Sequence, residues 1–376
     1  MNWSYILRHR YFIVIFAACI LLGATSALAM KSANTYTDAT WKKIIHDDAA
    51  LEALATKEES IFRESLAEMP PDAGRQFTRD RQYWLNYIER KCGPVARIMH
   101  DNEPYTADGM ASCLRLEYQN MIDSPQPFIR ECDGHRYYTI TRQDIRPDRD
   151  FIATPQEERS VLASEPDSYT VSLPQLVVTS AQDSRTNAHI RDYAQLGAIE
   201  ARIAMVNTQE NDPYASTDYS SNTDLVVYTD SLLVLDTATF EHGHGAGVAG
   251  TGNTSHFYLV KEGRELTAGR VFQSRSQWRT FLSRRAYADL KADGLVSTPP
   301  MFDTITSAKQ LEKIVAKPRN WRFDIRGLTL LFNYDDLEPG YDKLTTVTIP
   351  WNDLRPYLVK DTPILELAQV PVRNPP

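Results

Sequence analysis

Between residues 38 and 69 the chain alternates Asp, Glu and Lys with Trp41, Ile44, Ile45, Leu51, Leu54, Ile61, Phe62 and Leu66, the three-to-four-residue rhythm of amphipathic helices. Pro70-Pro71 ends the run, because proline does not extend a helix already under way. A further helix is predicted from Asp72 to Lys91. Phe77, Trp84, Ile88 and Cys92 lie at i, i+7, i+11 and i+15 along one stripe of it, and Gly93-Pro94 is its expected stop. After a polar loop, Met110, Cys113, Leu114, Tyr118 and Met121 mark another helix. Residues 30–142 therefore read as a mainly helical domain whose aromatic side chains are core packing rather than a cofactor box.

Residues 143–168 are rich in charge and proline and are the expected linker. From Tyr169 onward the period changes. Tyr169, Val171 and Leu173 alternate as in a strand, whereas Ile190, Ala194, Gly197, Ala201 and Ala204 return to helical spacing. Residues 224–239 read as two strands around Thr229-Asp230, and HFYLV, from His256, reads as a third before the Lys261–Arg264 turn. SQWRTFLSRRAYADL is helical. NWRFDI and GLTLLFNY form a hairpin around Arg326-Gly327, and TTVTIP adds a strand ahead of the short helix WNDLRPYL. Hairpins with helices between them define an antiparallel α+β domain over 169–376, not a parallel doubly wound sheet. The expected class of the whole chain is thus α+β.

The first 29 residues follow the grammar of an export signal: Arg8 and Arg10, an uncharged apolar core from Tyr11 to Gly23, and Ala27-Leu28-Ala29 before the expected cut. The uncharged run approaches the length of a membrane span, so an uncleaved anchor is the alternative, with a lipid on Cys19 a third. All versions put the remainder in the periplasm or outside the cell. Losing Arg8 and Arg10 from 41 basic residues leaves 39 against 49 acidic ones, a net charge of −10, which argues against nucleic acid as a partner. At 376 residues with 42% hydrophobic side chains, the chain is long enough for about two domains.

Several features bear on chemistry. Gly245, Gly247 and Gly250 satisfy a dinucleotide-binding glycine pattern, but the segment after them reads as loop and strand, and that motif needs a following helix N-terminus to meet the pyrophosphate. His242, His244 and His256 are close enough in sequence to suggest zinc, yet a structural site needs a fourth ligand, and we expect no metal and no cofactor there. His242, His244 and the glycine loop are read instead as a mobile, ligand-facing edge. The chain lacks the nucleophile-elbow, zincin and phosphate-loop motifs, so the expectation is a binding protein and not an enzyme. Arg275, Arg279, Arg284 and Arg285 are read as one solvated helix face. In an oxidising compartment Cys92, Cys113 and Cys132 allow three single pairings; Cys92 with Cys113 is favoured because both lie on aromatic faces of neighbouring predicted helices.

At these residues two families come into view. Phe77, Gln82, Trp84, Leu85, Tyr87 and Cys92, followed by Cys113-Leu114 and Tyr118, resemble the LprI-type lysozyme-inhibitor domain over roughly residues 45–125. The match departs from the family at Tyr87-Ile88-Glu89-Arg90, where an arginine usually comes sooner, and at Tyr118, which lacks the usual following arginine. The second domain resembles the extracellular domain of the anti-sigma factor RsiV. That likeness is carried by LLVLDTATFEHGHGAG, by HFYLVKEGREL, and by Phe332, Tyr334, Pro339-Gly340-Tyr341, Ile349-Pro350 and Leu354 in order. The resemblances imply a disulfide-stapled helical module, an α+β module, and lysozyme as the partner. The loop around 242–254 and the turn from Asp335 to Lys343 are the expected contact surfaces, through His242, His244, Asn253, Asp335, Asp336 and Tyr341. The rival expectation is an envelope interaction or structural protein that binds peptidoglycan or another protein. A metal-dependent envelope enzyme built on the histidine loop is the third.

Overall fold

The computed structural model describes residues 38–96, 106–123, 129–148, 166–204, 217–244, 250–294, 305–333, 336 and 345–369. The expected export leader, the loop 245–249, Asp335 and Tyr341 lie outside the described residues. The fold is mixed, with a helical region first and an antiparallel-rich sheet region after it, as the α+β expectation required.

Among the described residues the first region has four α-helices: α1 (Asp38–Asp47), α2 (Ala49–Glu68), α3 (Pro71–Arg90) and α4 (Ala107–Asp123). Asp48 caps α2 by accepting from the backbone N–H groups of Ala50 and Leu51, each at 3.0 Å, which satisfies two donors the helix leaves open. Pro71 opens α3 at a position where its missing N–H costs nothing. The expected stop at Gly93-Pro94 is passed. The chain winds on as a π-turn from Lys91 to Val95, a wider coil that accommodates a proline without an intact i→i+4 ladder. Trp41 presses on this turn, and a Cβ on Gly93 would meet its ring at 3.0 Å. Trp41, Leu51, Trp84, Ile88, Cys92, Leu114 and Tyr118 form the core, with Trp84 and Tyr118 edge to face at 5.2 Å. Cys92 and Cys113 are joined as a disulfide between the π-turn and α4. Cys132 lies outside that bond as a buried thiol, 3.4 Å from the carbonyl oxygen of Val226.

A seven-stranded sheet follows, in the order of the chain: β1 (Arg130–Cys132), β2 (His135–Arg146), β3 (Asp167–Leu176), β4 (Thr217–Tyr228), β5 (Leu232–Gly243), β6 (Gly250–Leu259) and β7 (Arg264–Glu265). Neighbours are antiparallel except β3 and β4, which run parallel. The chain between those two includes α5 (Ala181–Tyr193) and α6 (Leu196–Ala204). A second, three-stranded sheet contains β8 (Trp321–Asp324), β9 (Gly327–Phe332) and β10 (Thr345–Pro350). Gly327 closes the β8–β9 turn at φ 142°, where a Cβ would strike the carbonyl of Ile349.

The apolar run of β5 serves two cores. Leu233 and Leu235 join Ile140, Leu173, Ile190, Leu225 and Tyr258 on one side, whereas Leu232 and Val234 join Phe257, Leu259, Trp321, Phe323, Leu330 and Phe332 on the other. Strand side chains alternate between faces, so a strand buried on both reads as continuously hydrophobic. The helix α7 (Trp278–Ala292) contributes Trp278, Leu282, Ala286 and Leu290 to the second core.

The boundary expected at residue 142 falls inside β2, and the expected linker loses both its ends to strands. Residues 137–146 pair in register with 167–176, from Tyr137↔Leu176 to Arg146↔Asp167. Tyr138, Ile140, Arg142 and Asp144 alternate on one buried side of β2, and the charge of the last two disguises the period in the sequence. That side meets α3. Arg142, 1% exposed, donates to Asp80 of α3, and its Nε donates to Glu200 of α6 at 2.9 Å. Its guanidinium lies 4.4 Å from the ring centre of Tyr83. Asp144 accepts from Arg90 of α3 at 2.5 Å and from Arg146 at 2.7 Å. Burial weakens the charge on Arg142, but Asp80 and Glu200 outweigh it and raise its pKa. Burial pushes Asp80 up to about 6, against the pull of Arg142, the Thr141 N–H and Arg79.

Two outcomes are expected. Non-reducing peptide mapping should recover Cys92 linked to Cys113, and Cys92→Ser should lower stability in denaturant titrations by about 3 kcal/mol, the loop-closure figure for a ring of this size; recovery of a main species containing Cys132 would refute the pairing in solution. Arg142→Met should cost about 3 kcal/mol, since it takes the buried cation from Asp80, which keeps only the Thr141 N–H, and leaves Glu200 with Arg79 alone at 3.3 Å. Asp80→Asn should cost less, because Glu200 still faces the arginine. A loss under about 1 kcal/mol for Arg142→Met would mean that apolar packing, not the ions, holds α3 on β2.

Candidate functional site

Four strand ends meet at one end of the large sheet. β2 finishes at Arg146, with Asp148 two residues beyond; β3 opens on Asp167; β4 opens on Thr217-Asp218; β5 finishes at Gly243, with His244 next. The pairings put them together. Antiparallel β2/β3 sets Arg146 against Asp167, parallel β3/β4 keeps both starts at the same end, and antiparallel β4/β5 sets Asp218 against His242 and Thr217 against Gly243.

His244 sits at the centre of this gathering. Its Nδ1 contacts Asp148 Oδ2 and lies 3.5 Å from Asp167 Oδ1, and its Nε2 lies 3.5 Å from Asp218 Oδ2. The side chains of His244, Asp148 and Asp167 are 7%, 3% and 4% exposed, and that of Asp218 is 24% exposed. Asp218 is aimed by Ser168, whose backbone N–H and Oγ donate to Oδ1 at 3.1 and 2.5 Å. Burial opposes a charge on the imidazole, but hydrogen bonding and attraction to Asp148, then Asp218 and Asp167, prevail and raise its pKa. Among the described residues, Asp148, Asp167 and His244 are the group whose nitrogen and oxygen donors converge within 4.8 Å in a way that could hold a metal ion.

Other expected site residues go elsewhere. His244 is not on a solvent-facing edge but inside the acidic cluster, because the polar ends of β2 and β3 close over it. His242 stays half-buried on β5, with its ring 6.4 Å from that of His244 and 6.5 Å from that of Phe240. Phe240 is 39% exposed, a large apolar side chain open to solvent beside exposed Glu241. Asn253 is buried, and its backbone N–H donates to Asn333 Oδ1 at 2.6 Å, so it joins β6 to the end of β9 rather than facing a ligand. Asp336 accepts from the Asn333 N–H at 3.1 Å and from Asn320 at 3.4 Å, the role of a loop clasp. The expected solvated arginine face on α7 is partly engaged: Arg285 pairs with Asp289 at 3.3 Å, and Arg279 lies over the Trp278 ring at 5.0 Å.

The three histidines singled out in the sequence do not converge. His256 pairs with Leu235 of β5, nine residues from His244, or about 30 Å along a strand. Its partner is His189 of α5, Nε2 to Nε2 at 2.7 Å. Positions 189 and 193 share one face of α5, and positions 256 and 258 share one face of β6. Tyr258 therefore stacks on His189 at 3.7 Å, and Tyr193 stacks on His256 at 4.1 Å. Burial, then the neighbouring imidazole, holds the pKa of His256 down to about 4, and burial also lowers that of His189. One ring must donate and the other accept across 2.7 Å, so this contact tolerates a single proton.

No protein-family model matches the chain, and no curated protein matches it. Two of the solved structures to which it shows a likeness are described as DUF3298 family proteins. A member of the DUF3298 family from Bacteroides fragilis aligns with a TM-score of 0.42 and 14% identity, over 64% of this chain and 99% of that one. A DUF3298 family protein from Pseudomonas aeruginosa aligns with a TM-score of 0.39 and 11% identity, over 61% of this chain and 96% of that one. The likenesses to LprI-type and RsiV domains therefore rest on the residues quoted for them.

The stacked pair generates a pH dependence. The folded pKa of His256 lies below its ordinary 6.5, so the unfolded chain binds the extra proton and stability falls as pH drops from about 6.5 toward 4. At 1.36 kcal/mol per unit the loss approaches about 3 kcal/mol for this group alone. Thermal melts across that range should show it, and His256→Phe should flatten the slope; an unchanged slope in the variant would assign the acid sensitivity to other groups.

Proposed function

We propose that the protein is an exported binding protein of the cell envelope and that its partner is lysozyme. The observation that carries the reading is the Cys92–Cys113 disulfide, which closes the helical module between the residues of the lysozyme-inhibitor resemblance and is the form expected in an oxidising compartment. Lysozyme works through two carboxylates in a cleft, so an inhibitor has to cover that cleft or bring donors to its acids. Near its end β5 exposes Phe240 on one face of the sheet and Glu241 on the other, an apolar and an acidic contact of the kinds that suit a basic partner. The −10 charge of the processed chain adds attraction at long range, which speeds encounter more than it strengthens the final complex.

Calorimetry with a basic c-type lysozyme, beside a cell-wall lysis assay, tests both parts. Binding stronger than about −7 kcal/mol is expected at low salt, weakening as ionic strength rises, with slower lysis and no cleavage of the partner. Phe240→Ala with Glu241→Lys should weaken it at least about tenfold, the scale of one contact worth 1.4 kcal/mol. No heat at tens of micromolar protein would remove lysozyme as the ligand and favour peptidoglycan or another envelope protein.

A further inference from the structure

We propose that Asp148, Asp167 and His244 bind one divalent transition-metal cation, with Asp218 as the carboxylate that orients the histidine. Two observations of different kinds lead there. The first is the donor set: two aspartates less than 5% exposed and one imidazole, brought from three separate strand ends so that their donor atoms lie within 4.8 Å of one another. Two carboxylates and an imidazole converging from separate strand ends are the donor chemistry of a divalent transition-metal site. The second is the state of His244. Its Nε2 is buried and makes no hydrogen bond, yet it points at Asp218, whose other oxygen is already held by Ser168.

That is the arrangement in which an imidazole gives one nitrogen to a metal and its other N–H to a carboxylate behind it. Nδ1 is the nitrogen facing Asp148 and Asp167, and Nε2 is the one facing Asp218. The 3.5 Å between Nδ1 and Asp167 Oδ1 also suits a shared ion, because donors bound at about 2.1 Å stand roughly 3 to 3.5 Å apart around a tetrahedral or octahedral centre. The mixed nitrogen and carboxylate set favours Zn²⁺ or Mn²⁺ over Ca²⁺, which prefers oxygen alone. A bound ion would tie the ends of β2, β3 and β5 together, with β4 behind them. His242 takes no part, so the adjacent histidines have separate roles. None of this depends on the identity of the protein partner.

The test uses the full processed chain. Protein purified without chelators is assayed for metals, then stripped and titrated with ZnCl₂ or MnCl₂ by calorimetry and thermal melting. One equivalent per chain and a melting temperature that climbs with metal concentration are expected. Asp167→Asn and His244→Gln should each weaken binding at least about tenfold, whereas His242→Ala should leave it unchanged. A further measurement separates a ligand from a structural ion pair: the melting temperature of Asp167→Asn should stay level as ZnCl₂ is added, whatever its metal-free value, while that of the parent climbs. No retained metal and no melting shift in the parent would overturn the proposal, and so would undiminished affinity in both the Asp167 and His244 variants.

Discussion

The seam between the helical module and the large sheet is registered by a buried cation. Arg142 sits in the middle of β2, a position where a hydrophobic residue would ordinarily complete the alternation begun by Tyr138 and Ile140. It takes one carboxylate from α3, another from α6 and the face of Tyr83, so three elements distant in sequence are registered by a single side chain. An apolar contact there could slide by a turn of helix at small cost. A guanidinium cannot, because each displacement strands a carboxylate in a dry seam. The Arg90–Asp144–Arg146 contacts extend the same rail toward the end of β2.

That rail runs to the end of β2, where the acidic cluster begins. Asp148 lies two residues past the strand, and the lone parallel step in the large sheet, from β3 to β4, brings Asp167 and Asp218 to the same end. Were β3 and β4 antiparallel, Asp218 would stand at the far end of the sheet. The position of His244 thus follows from a topological choice, and so does its separation from His256, which the middle of β6 presents to α5 instead. The two imidazole sites have opposite electrostatics. His244 is surrounded by carboxylates that favour its charge, whereas His256 is enclosed by rings and another imidazole that suppress it.

Much of this architecture was legible in the chain. The helical period of residues 38–91 and 110–121, the hairpin at Arg326-Gly327 and the pairing of Cys92 with Cys113 depend on contacts between near neighbours, where local sterics and periodicity decide the outcome. The strand β2 was not legible, because its buried side carries Arg142, Asp144 and Arg146, and burial of a charge depends on partners that sequence does not place. Asn253 and Asp336 looked like surface ligands for the same reason: their polarity is used internally, by Asn333 and its loop. Asp148, Asp167 and Asp218 went unremarked among many carboxylates, for each becomes distinctive only beside the others. Local spacing determined the elements; the order and direction in which strands pair decided which charges meet, since convergence of strand ends is a property of the assembled sheet and of no single segment.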